Sequence, residues 1–337
     1  MAPRGFSEGG GVPFSARPAV RDRVAKVAVV GAGTIGAGWA TFFVAQGLSV
    51  NLFDVSADAA AAARERVAAG LDFLARHGLL TGAPTEAARR LELCDDLAQT
   101  TVGVDLVQEA VRESYEAKEA VFGALDALLP ADVLLASSSS GLLMSQIQRA
   151  AKRYPERCLI AHPINPVYLV PLVELVPGAQ TLPAVLTAAR RFYEGLGKAA
   201  VTLTREIPGY LENRMTAALW REAIDLVHQG IATVEDVDRA IWAGPGLRYA
   251  LMGPLMIYHL GGGPGGVRHF VEHLGPAFRT WWADMRTWTE PPEGALERLE
   301  AGLRDAMGSR TIADLEAWRD ERLVALLRAR GETKGPL

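Results

Sequence analysis

The feature that most constrains the fold is a glycine-rich loop between a predicted strand and a predicted helix. The β-branched run Lys26–Val30 is typical of a short buried strand, and the pattern G-x-G-x-x-G follows it directly. In this pattern the first glycine permits a tight turn, the second lets the backbone approach a pyrophosphate, and the third lets the helix pack on the strand. The helix N-terminus offers its unpaired N–H groups to the phosphates. We therefore expect a dinucleotide at the loop residues Gly31, Ala32, Gly33, Thr34, Ile35 and Gly36.

An acidic residue follows the next predicted strand. The run Ser49–Phe53 predicts a strand that ends at Asp54, where the carboxylate can accept hydrogen bonds from the ribose hydroxyls of an adenosine. A 2′-phosphate would meet like charge at this position, so the sequence favours NAD over NADP as the cofactor. The alternative is a strand–helix turn with packing glycines and an aspartate that caps the next helix.

Predicted strands alternate with predicted helices in the first part of the chain, and only helices follow Pro208. This order predicts an α/β fold with a Rossmann-type, doubly wound and mostly parallel sheet, followed by an all-α C-terminal domain. We predict a flexible N-terminal extension over residues 1–24, an NAD-binding domain over 25–205 and a helical domain over 206–330. The helices of the last segment include Tyr210–Gln229, Val234–Ala243 and Thr311–Arg328.

Composition excludes several classes of function. The 337 residues carry 35 basic and 39 acidic side chains, and a formal net charge of -4 argues against a main role in binding nucleic acid or an anionic membrane. We find no apolar run that suits a signal peptide or a membrane span. The two cysteines, Cys94 and Cys158, are too few for a disulfide framework and fit a reducing cytoplasm. Of the six histidines only His269 and His273 stand four residues apart, and the rest are scattered, so we expect no metal.

A histidine and a glutamate flank one proline-rich link. His162 lies at the end of one predicted strand, and Glu174 lies inside the next. Adjacent pairing of these strands could bring the side chains within hydrogen-bond reach. A carboxylate behind an imidazole fixes its tautomer and stabilises the imidazolium, which suits a base that removes a hydroxyl proton. The alternative is a solvent-edge histidine and an unrelated strand glutamate.

Four serines end another predicted strand, at Ser137–Ser140. The carboxyl ends of parallel strands face the ligand crevice in an open sheet, so hydroxyl groups there can hold a substrate oxygen or a cofactor amide. Serines also commonly cap the next helix, and the residues by themselves favour this capping role.

The chain resembles the 3-hydroxyacyl-CoA dehydrogenase superfamily over nearly all of residues 25–330. The resemblance is carried by the stretches VAVVGAGTIGAGWA, LVQEAVRESYEAKEAVF, LASSSSGLL, AHPINPVYLVPLVELV and IPGYLENRM. It implies NAD-dependent oxidation of a 3-hydroxyl group, with a helical domain that binds the substrate and forms a homodimer. The positions that match the active centre of the family are Ser140, His162, Glu174 and Asn213. Those that match residues near the nicotinamide and its ribose are Glu113, Lys118 and Asn165.

Within the superfamily, Gly246–Pro254 resembles the corresponding stretch of the L-gulonate and L-carnitine dehydrogenases, and the C-terminal stretches resemble the L-carnitine branch. The resemblance implies a small hydroxy acid as substrate, with L-carnitine favoured and 3-dehydrocarnitine as its product. Arg248 is the candidate clamp for the carboxylate, and Tyr249 is a candidate substrate contact. Aromatic faces could hold the quaternary ammonium. The further candidates for that role are Tyr168, Trp220, Tyr258, Trp281 and Trp282.

Several alternatives stay open at this point. The substrate could be L-gulonate or a 3-hydroxyacyl group on CoA or a carrier, and the chain could be a non-catalytic NAD-binding structural protein. Met256 stands where the family usually has a glutamate, which bears on the substrate.

Overall fold

The computed structural model describes residues 24–330 and divides them into two compact units. The first unit ends at Asn213 and the second begins at Arg214, shortly after the predicted domain boundary. The predicted flexible extension lies outside the described residues except for Val24, which is buried in the core of the first unit.

The first unit is built on a sheet that contains eight strands within the described residues. They are β1 (Lys26–Val30), β2 (Ser49–Phe53), β3 (Leu91–Leu93), β4 (Leu106–Glu109), β5 (Leu134–Ser137), β6 (Cys158–Pro163), β7 (Leu172–Pro177) and β8 (Ala199–Thr202). Their spatial order is β3-β2-β1-β4-β5-β6-β7-β8, and every neighbouring pair is parallel except β6 and β7. The predicted Rossmann-type, mostly parallel sheet is confirmed. The short edge strand β3 had no counterpart among the predicted strands.

Helices cover both faces of this sheet. They are α1 (Thr34–Ala45), α2 (Ala57–Arg76), α3 (Pro84–Ala88), α4 (Leu97–Thr100), α5 (Tyr115–Leu128), α6 (Met144–Ile147) and α7 (Pro183–Gly195). Successive residues of β1 point to opposite faces. Val27 and Val29 therefore pack with α1, α2 and α7, whereas Ala28 and Val30 pack with α5 and α6. This two-sided burial explains why the strands are near-continuous apolar runs.

The helix α8 (Glu212–His228) begins at the end of the first unit and continues into the second. The other helices of the second unit are α9 (Val234–Trp242), α10 (Pro245–Tyr249), α11 (Pro254–Gly261), α12 (Gly266–Asp284), α13 (Ala295–Met307) and α14 (Ile312–Ala329). The predicted all-α character of this part is confirmed for the described residues. Within residues 24–330, no helix combines the length and the apolar character that crossing a membrane requires.

A buried ion pair fixes the start of β6, the strand that carries His162. Arg157 precedes this strand, and its Nη2 lies 2.9 Å from Oδ1 of Asp126 on α5. The guanidinium also donates to the carbonyl of Pro130. The carboxylate of Asp126 accepts the backbone N–H groups of Arg153 at 2.6 Å and Tyr154 at 3.2 Å. These bonds hold the segment before β6 against α5.

We predict that Asp126→Ala destabilises the first unit by about 3–5 kcal/mol, because it leaves the buried guanidinium of Arg157 without its counter-charge. Chemical denaturation followed by circular dichroism measures the change. Asp72→Ala, on the exposed face of α2, is the matched control and should change stability by less than about 0.5 kcal/mol. If Asp126→Ala lowered the free energy of unfolding as little as Asp72→Ala does, this role for the ion pair would be contradicted.

Candidate active site

The glycine loop has the conformation that its sequence pattern requires. Gly31 has φ of 101°, and a Cβ atom there would lie 2.4 Å from the carbonyl oxygen of Ala110. A Cβ at Gly36 would lie 1.8 Å from the carbonyl oxygen of Gly31. At Gly33 a Cβ would meet no atom within 4 Å. Gly31 and Gly36 thus serve the turn and its packing, whereas Gly33 leaves open the space in front of α1.

That space is part of a cavity of about 740 Å³, which Gly31, Gly33, Thr34, Ile35 and Asp54 help to line. The carboxylate of Asp54 accepts the N–H of Ala32 at 2.7 Å and the N–H of Ser56 at 2.9 Å. No side chain caps the N-terminus of α1, so its first N–H groups remain available to an anion. The cavity therefore fits a dinucleotide, with the pyrophosphate at the loop and the adenosine ribose near Asp54.

Three charged side chains form a network beyond the end of β4. The ammonium of Lys118, which is 1% exposed, lies 2.9 Å from Oε1 of Glu109 and 3.3 Å from Oε2 of Glu113. The hydroxyl of Ser137 donates to the other oxygen of Glu109 at 2.5 Å. Burial raises the pKa of Glu109, although the charge of Lys118 and these hydrogen bonds oppose the change. Sequence reasoning missed Glu109. Its place at the end of β4 is similar to that of Asp54 after β2, and this position could have indicated it.

Glu113 shapes the turn that carries Ser140. One carboxylate oxygen of Glu113 accepts the Ser139 hydroxyl at 2.6 Å, the Ser140 N–H at 2.8 Å and the Gly141 N–H at 3.2 Å. Burial alone would raise the pKa of Glu113, but these hydrogen bonds and Lys118 outweigh it and hold the pKa below its usual value. The predicted capping role of the serines is wrong, because α6 begins after Leu143 without a side-chain cap.

His162 and Glu174 lie directly opposite each other in the antiparallel pair β6–β7. The ring Nδ1 of His162 is 2.8 Å from Oε2 of Glu174, and the two residues are 3% and 1% exposed. The other oxygen of Glu174 accepts the backbone N–H groups of Leu211 and Glu212, each at 3.0 Å. Burial by itself raises the pKa of Glu174, but the hydrogen bonds from His162 and from the two N–H groups outweigh it, and the pKa lies below its usual value.

This arrangement has a defined chemical consequence. An ionised Glu174 accepts a proton-bearing Nδ1 of His162, and the neutral ring then keeps the lone pair of Nε2 for a substrate proton. The expected proximity of the two side chains is therefore found in the structure. Their role as the catalytic base stays a prediction.

Tyr210 connects the histidine with the serine turn. Its ring lies edge-on to the His162 ring, with centroids 5.5 Å apart, and its hydroxyl donates to the carbonyl of Leu142 at 2.7 Å. Tyr210 is fully buried and has φ of 50°, a conformation that L-residues rarely adopt. Sequence reasoning missed this residue, because only the fold brings it against His162.

The two asparagines of the site are both in the first unit. The side-chain amide of Asn213 donates to the main-chain carbonyl of Ser140 at 2.6 Å, so the structure brings these two predicted residues together. Asn165 is exposed on the link between β6 and β7 and precedes a cis peptide bond to Pro166.

The predicted substrate residues Arg248 and Tyr249 lie on α10 in the second unit, and both are exposed. Within residues 24–330, the guanidinium of Arg248 forms no ion pair, so a structural salt bridge does not occupy it there. Tyr258, Trp281 and Trp282 belong to an aromatic cluster around Phe278 in the same unit. Tyr168 packs on Phe73 in the first unit, and Trp220 is exposed on α8.

The carboxyl ends of β1, β2, β4, β5 and β6 meet at one edge of the sheet, which carries both the dinucleotide cavity and the imidazole–carboxylate pair. An edge of this kind is typical of a dehydrogenase that transfers hydride to a nicotinamide dinucleotide.

Two family models match the chain: "3-hydroxyacyl-CoA dehydrogenase, NAD binding domain" over residues 26–207 and "3-hydroxyacyl-CoA dehydrogenase, C-terminal domain" over residues 209–294. The chain belongs to the 3-hydroxyacyl-CoA dehydrogenase family and is an NAD-dependent oxidoreductase that acts on CH–OH groups.

Relatives with assigned functions cover most of the chain. The L-carnitine dehydrogenase of Streptomyces coelicolor is 42% identical over 92% of this chain and 96% of its own length. The L-carnitine dehydrogenase of Pseudomonas aeruginosa is 41% identical over 91% of this chain and 94% of its own length. A solved structure of a 5-dehydrogenase for a pyridine carboxylic acid, described as an NAD+ dependent dismutase, is 28% identical with a TM-score of 0.79 and covers 92% of this chain and 100% of its own. A solved structure of the (S)-3-hydroxybutyryl-CoA dehydrogenase of Ralstonia eutropha is 27% identical with a TM-score of 0.63. It covers 83% of this chain and 94% of its own.

We predict that Asp54→Asn raises the Kd for NADH by roughly 10- to 100-fold, the value of a charge-assisted hydrogen bond. The same change should narrow the preference for NADH over NADPH, because it removes the repulsion of a 2′-phosphate. Quenching of protein fluorescence by each cofactor measures both effects. Asp58→Asn, in the exposed first turn of α2, is the matched control. Equal cofactor affinities in Asp54→Asn and the control would contradict the assigned contact.

Proposed function

We propose that the chain oxidises the 3-hydroxyl group of L-carnitine to give 3-dehydrocarnitine, with His162 as the base. The single observation that carries the chemistry is the buried His162–Glu174 pair at the sheet edge. The substrate is supported by the relatives, whose names specify L-carnitine and which are 37–42% identical to this chain.

Oxidation of a secondary alcohol requires loss of the hydroxyl proton and of the hydrogen on the same carbon as hydride. The glycine loop and Asp54 would hold NAD, which would supply the hydride acceptor. Nε2 of His162 takes the hydroxyl proton, and the carboxylate of Glu174 stabilises the imidazolium that forms. We assign the orientation of the hydroxyl to Ser140 and Asn213, which are neighbours because the Asn213 amide donates to the main-chain carbonyl of Ser140. The products balance as the ketone, NADH and one proton.

Arg248 supports a free carboxylate as part of the substrate. An exposed guanidinium without an ion pair in the described part of the chain can bind a carboxylate through two parallel hydrogen bonds. We propose that Arg248 holds this group and that Tyr249 contacts the substrate beside it. Burial raises the pKa of the Tyr249 hydroxyl, which is neutral at physiological pH in any case and offers the substrate an uncharged polar contact.

The cofactor contacts of Glu113, Lys118 and Asn165 stay predictions. Lys118 already donates to Glu109 and to the carbonyl of Val111, at 2.9 Å and 3.4 Å. Glu113 and Lys118 therefore also have a positioning role, since they hold the Ser140 turn that borders the nicotinamide in this proposal.

The predicted homodimer and cytoplasmic location also stay predictions. A surface of the second unit supports the dimer, because α11 and α12 expose large apolar side chains that water does not favour. Leu255 is 84% exposed and Trp282 is 63% exposed, and both line an apolar cavity of about 770 Å³ that also includes Met256.

We predict that His162→Gln lowers kcat for L-carnitine by about 10²-fold or more, because the proton acceptor is lost. The Kd for NADH should stay within about twofold of wild type, since the glycine loop and Asp54 are unchanged. His77→Gln, at the C-terminus of α2, is the control for a histidine away from the proposed reaction centre. Wild-type turnover by His162→Gln would overturn the mechanism.

The substrate is tested separately by NADH absorbance with L-carnitine, L-gulonate, 3-hydroxybutyrate and 3-hydroxybutyryl-CoA. We expect the highest kcat/KM with L-carnitine. A strong signal with the CoA ester and none with carnitine would reject the substrate but keep the chemistry. Absence of a signal with all four, despite NADH binding, would favour a carrier-bound substrate or the non-catalytic role.

A further inference from the structure

One buried charge of the first unit has no part in the chemistry described above. Lys198 directly precedes β8 and is 5% exposed. Its ammonium donates to the carbonyl of Val167 and, at 2.9 Å, to the carbonyl of Val170. Within residues 24–330 it forms no ion pair with a carboxylate. Both carbonyls belong to the link of residues 164–171 between β6 and β7, which joins the strands of His162 and Glu174.

The same ammonium faces two aromatic rings of α1, the helix that starts at the glycine loop. Its Nζ lies 5.2 Å from the ring centroid of Trp39 and 4.5 Å from that of Phe42. Both distances are within the range of cation–π attraction. Burial lowers the pKa of Lys198 to about 7, so keeping a charge here costs folding free energy. An apolar side chain of similar length would avoid that cost but could not hold the two carbonyls.

The link also contacts α1 directly. A Cβ atom at Gly38 would lie 2.9 Å from Cγ2 of Val167 and 3.0 Å from its Cβ, so glycine is what allows this close approach. Val167 is fully buried. The ammonium of Lys198 thus contacts both the link and α1, and Val167 of the link packs directly on α1.

Two groups of the proposed reaction centre lie beside or on this link. His162 is followed by Pro163 at the end of β6, and Asn165 lies on the link itself. The other partner of the contact between the link and α1 is this helix itself, and the glycine loop leads directly into it. A shift of the link relative to α1 would therefore move the base and Asn165 relative to the dinucleotide cavity.

We propose that Lys198 is a positioning residue that clamps the link of residues 164–171 onto α1 and so sets the position of His162 and Asn165 relative to the bound cofactor. This role rests on the proposed function of His162 as the base. Lys198 touches neither the substrate nor the reacting atoms in this account. It acts through the two carbonyls that it binds.

The test uses the full chain with Lys198→Ala and Lys198→Met, and the hydroxy acid that gives the highest wild-type turnover. We expect kcat to fall by about 10- to 100-fold in both variants, since small displacements of reacting groups have effects of this size. The Kd for NADH should change by less than about twofold, because the cofactor contacts of the loop remain. Lys152→Met, an exposed lysine, is the matched control and should keep wild-type values.

A positioning role is separated from a merely structural one by chemical rescue. Propylammonium replaces the atoms that Lys198→Ala removes, and it should restore kcat at least about fivefold in that variant, because it re-forms the two hydrogen bonds. It should not restore Lys198→Met, whose side chain fills the space. Wild-type kcat in both variants, or equal effects of the amine on both, would overturn the proposal.

A second variant keeps the proposal testable if loss of Lys198 prevents folding. Gly38→Ala displaces Val167 but retains the lysine, and alanine is the better helix former in the middle of α1. It should reproduce the lower kcat with unchanged NADH affinity. A wild-type kcat in Gly38→Ala would contradict the proposal. The activity of His162→Gln tests independently whether His162 is the base. Failure of that proposal can therefore be distinguished from failure of the positioning role of Lys198.

Discussion

The buried carboxylate of Glu174 connects three elements of the first unit. One of its oxygens lies 2.8 Å from Nδ1 of His162 on β6, and the other accepts the N–H groups of Leu211 and Glu212 at the start of α8. Burial disfavours a charge on this group, and these hydrogen bonds compensate for it. Because the carboxylate is held at both oxygens, the imidazole that it binds has one orientation. The proposed chemistry depends on that orientation.

Other buried charges surround the same edge of the sheet, and each of them holds a loop. Lys118 lies between Glu109 and Glu113, and Glu113 in turn binds the backbone of the Ser140 turn. Lys198 holds the link after His162. A charge in a dry environment must find partners, so its hydrogen bonds restrict the loops more strongly than apolar contacts would. Loops placed in this way can present polar groups to a ligand with little reorganisation when it binds.

The sequence predicts the parts of this site that depend on short patterns. The glycine loop and Asp54 follow from the order strand, turn, helix and strand, and the His162–Glu174 pair follows from two strands joined by a short link. Contacts between distant segments could not be predicted in this way. Tyr210 reaches His162 from just before α8, and Lys198 reaches the link from the turn between α7 and β8, so no local pattern marks either residue. The serines illustrate the same limit, because their local pattern favours a helix cap whereas Glu113 binds their turn instead.

We propose that the charge of Glu174 makes His162 an effective base. The most direct test is the single-turnover rate of NADH formation by Glu174→Gln, at saturating NAD and hydroxy acid. Glutamine can accept the Nδ1 hydrogen through its amide oxygen, but its NH2 group then faces the N–H groups of Leu211 and Glu212. It also has no charge to stabilise the imidazolium, so we predict a rate at least about 100-fold below wild type. A rate within about twofold of wild type would contradict the account.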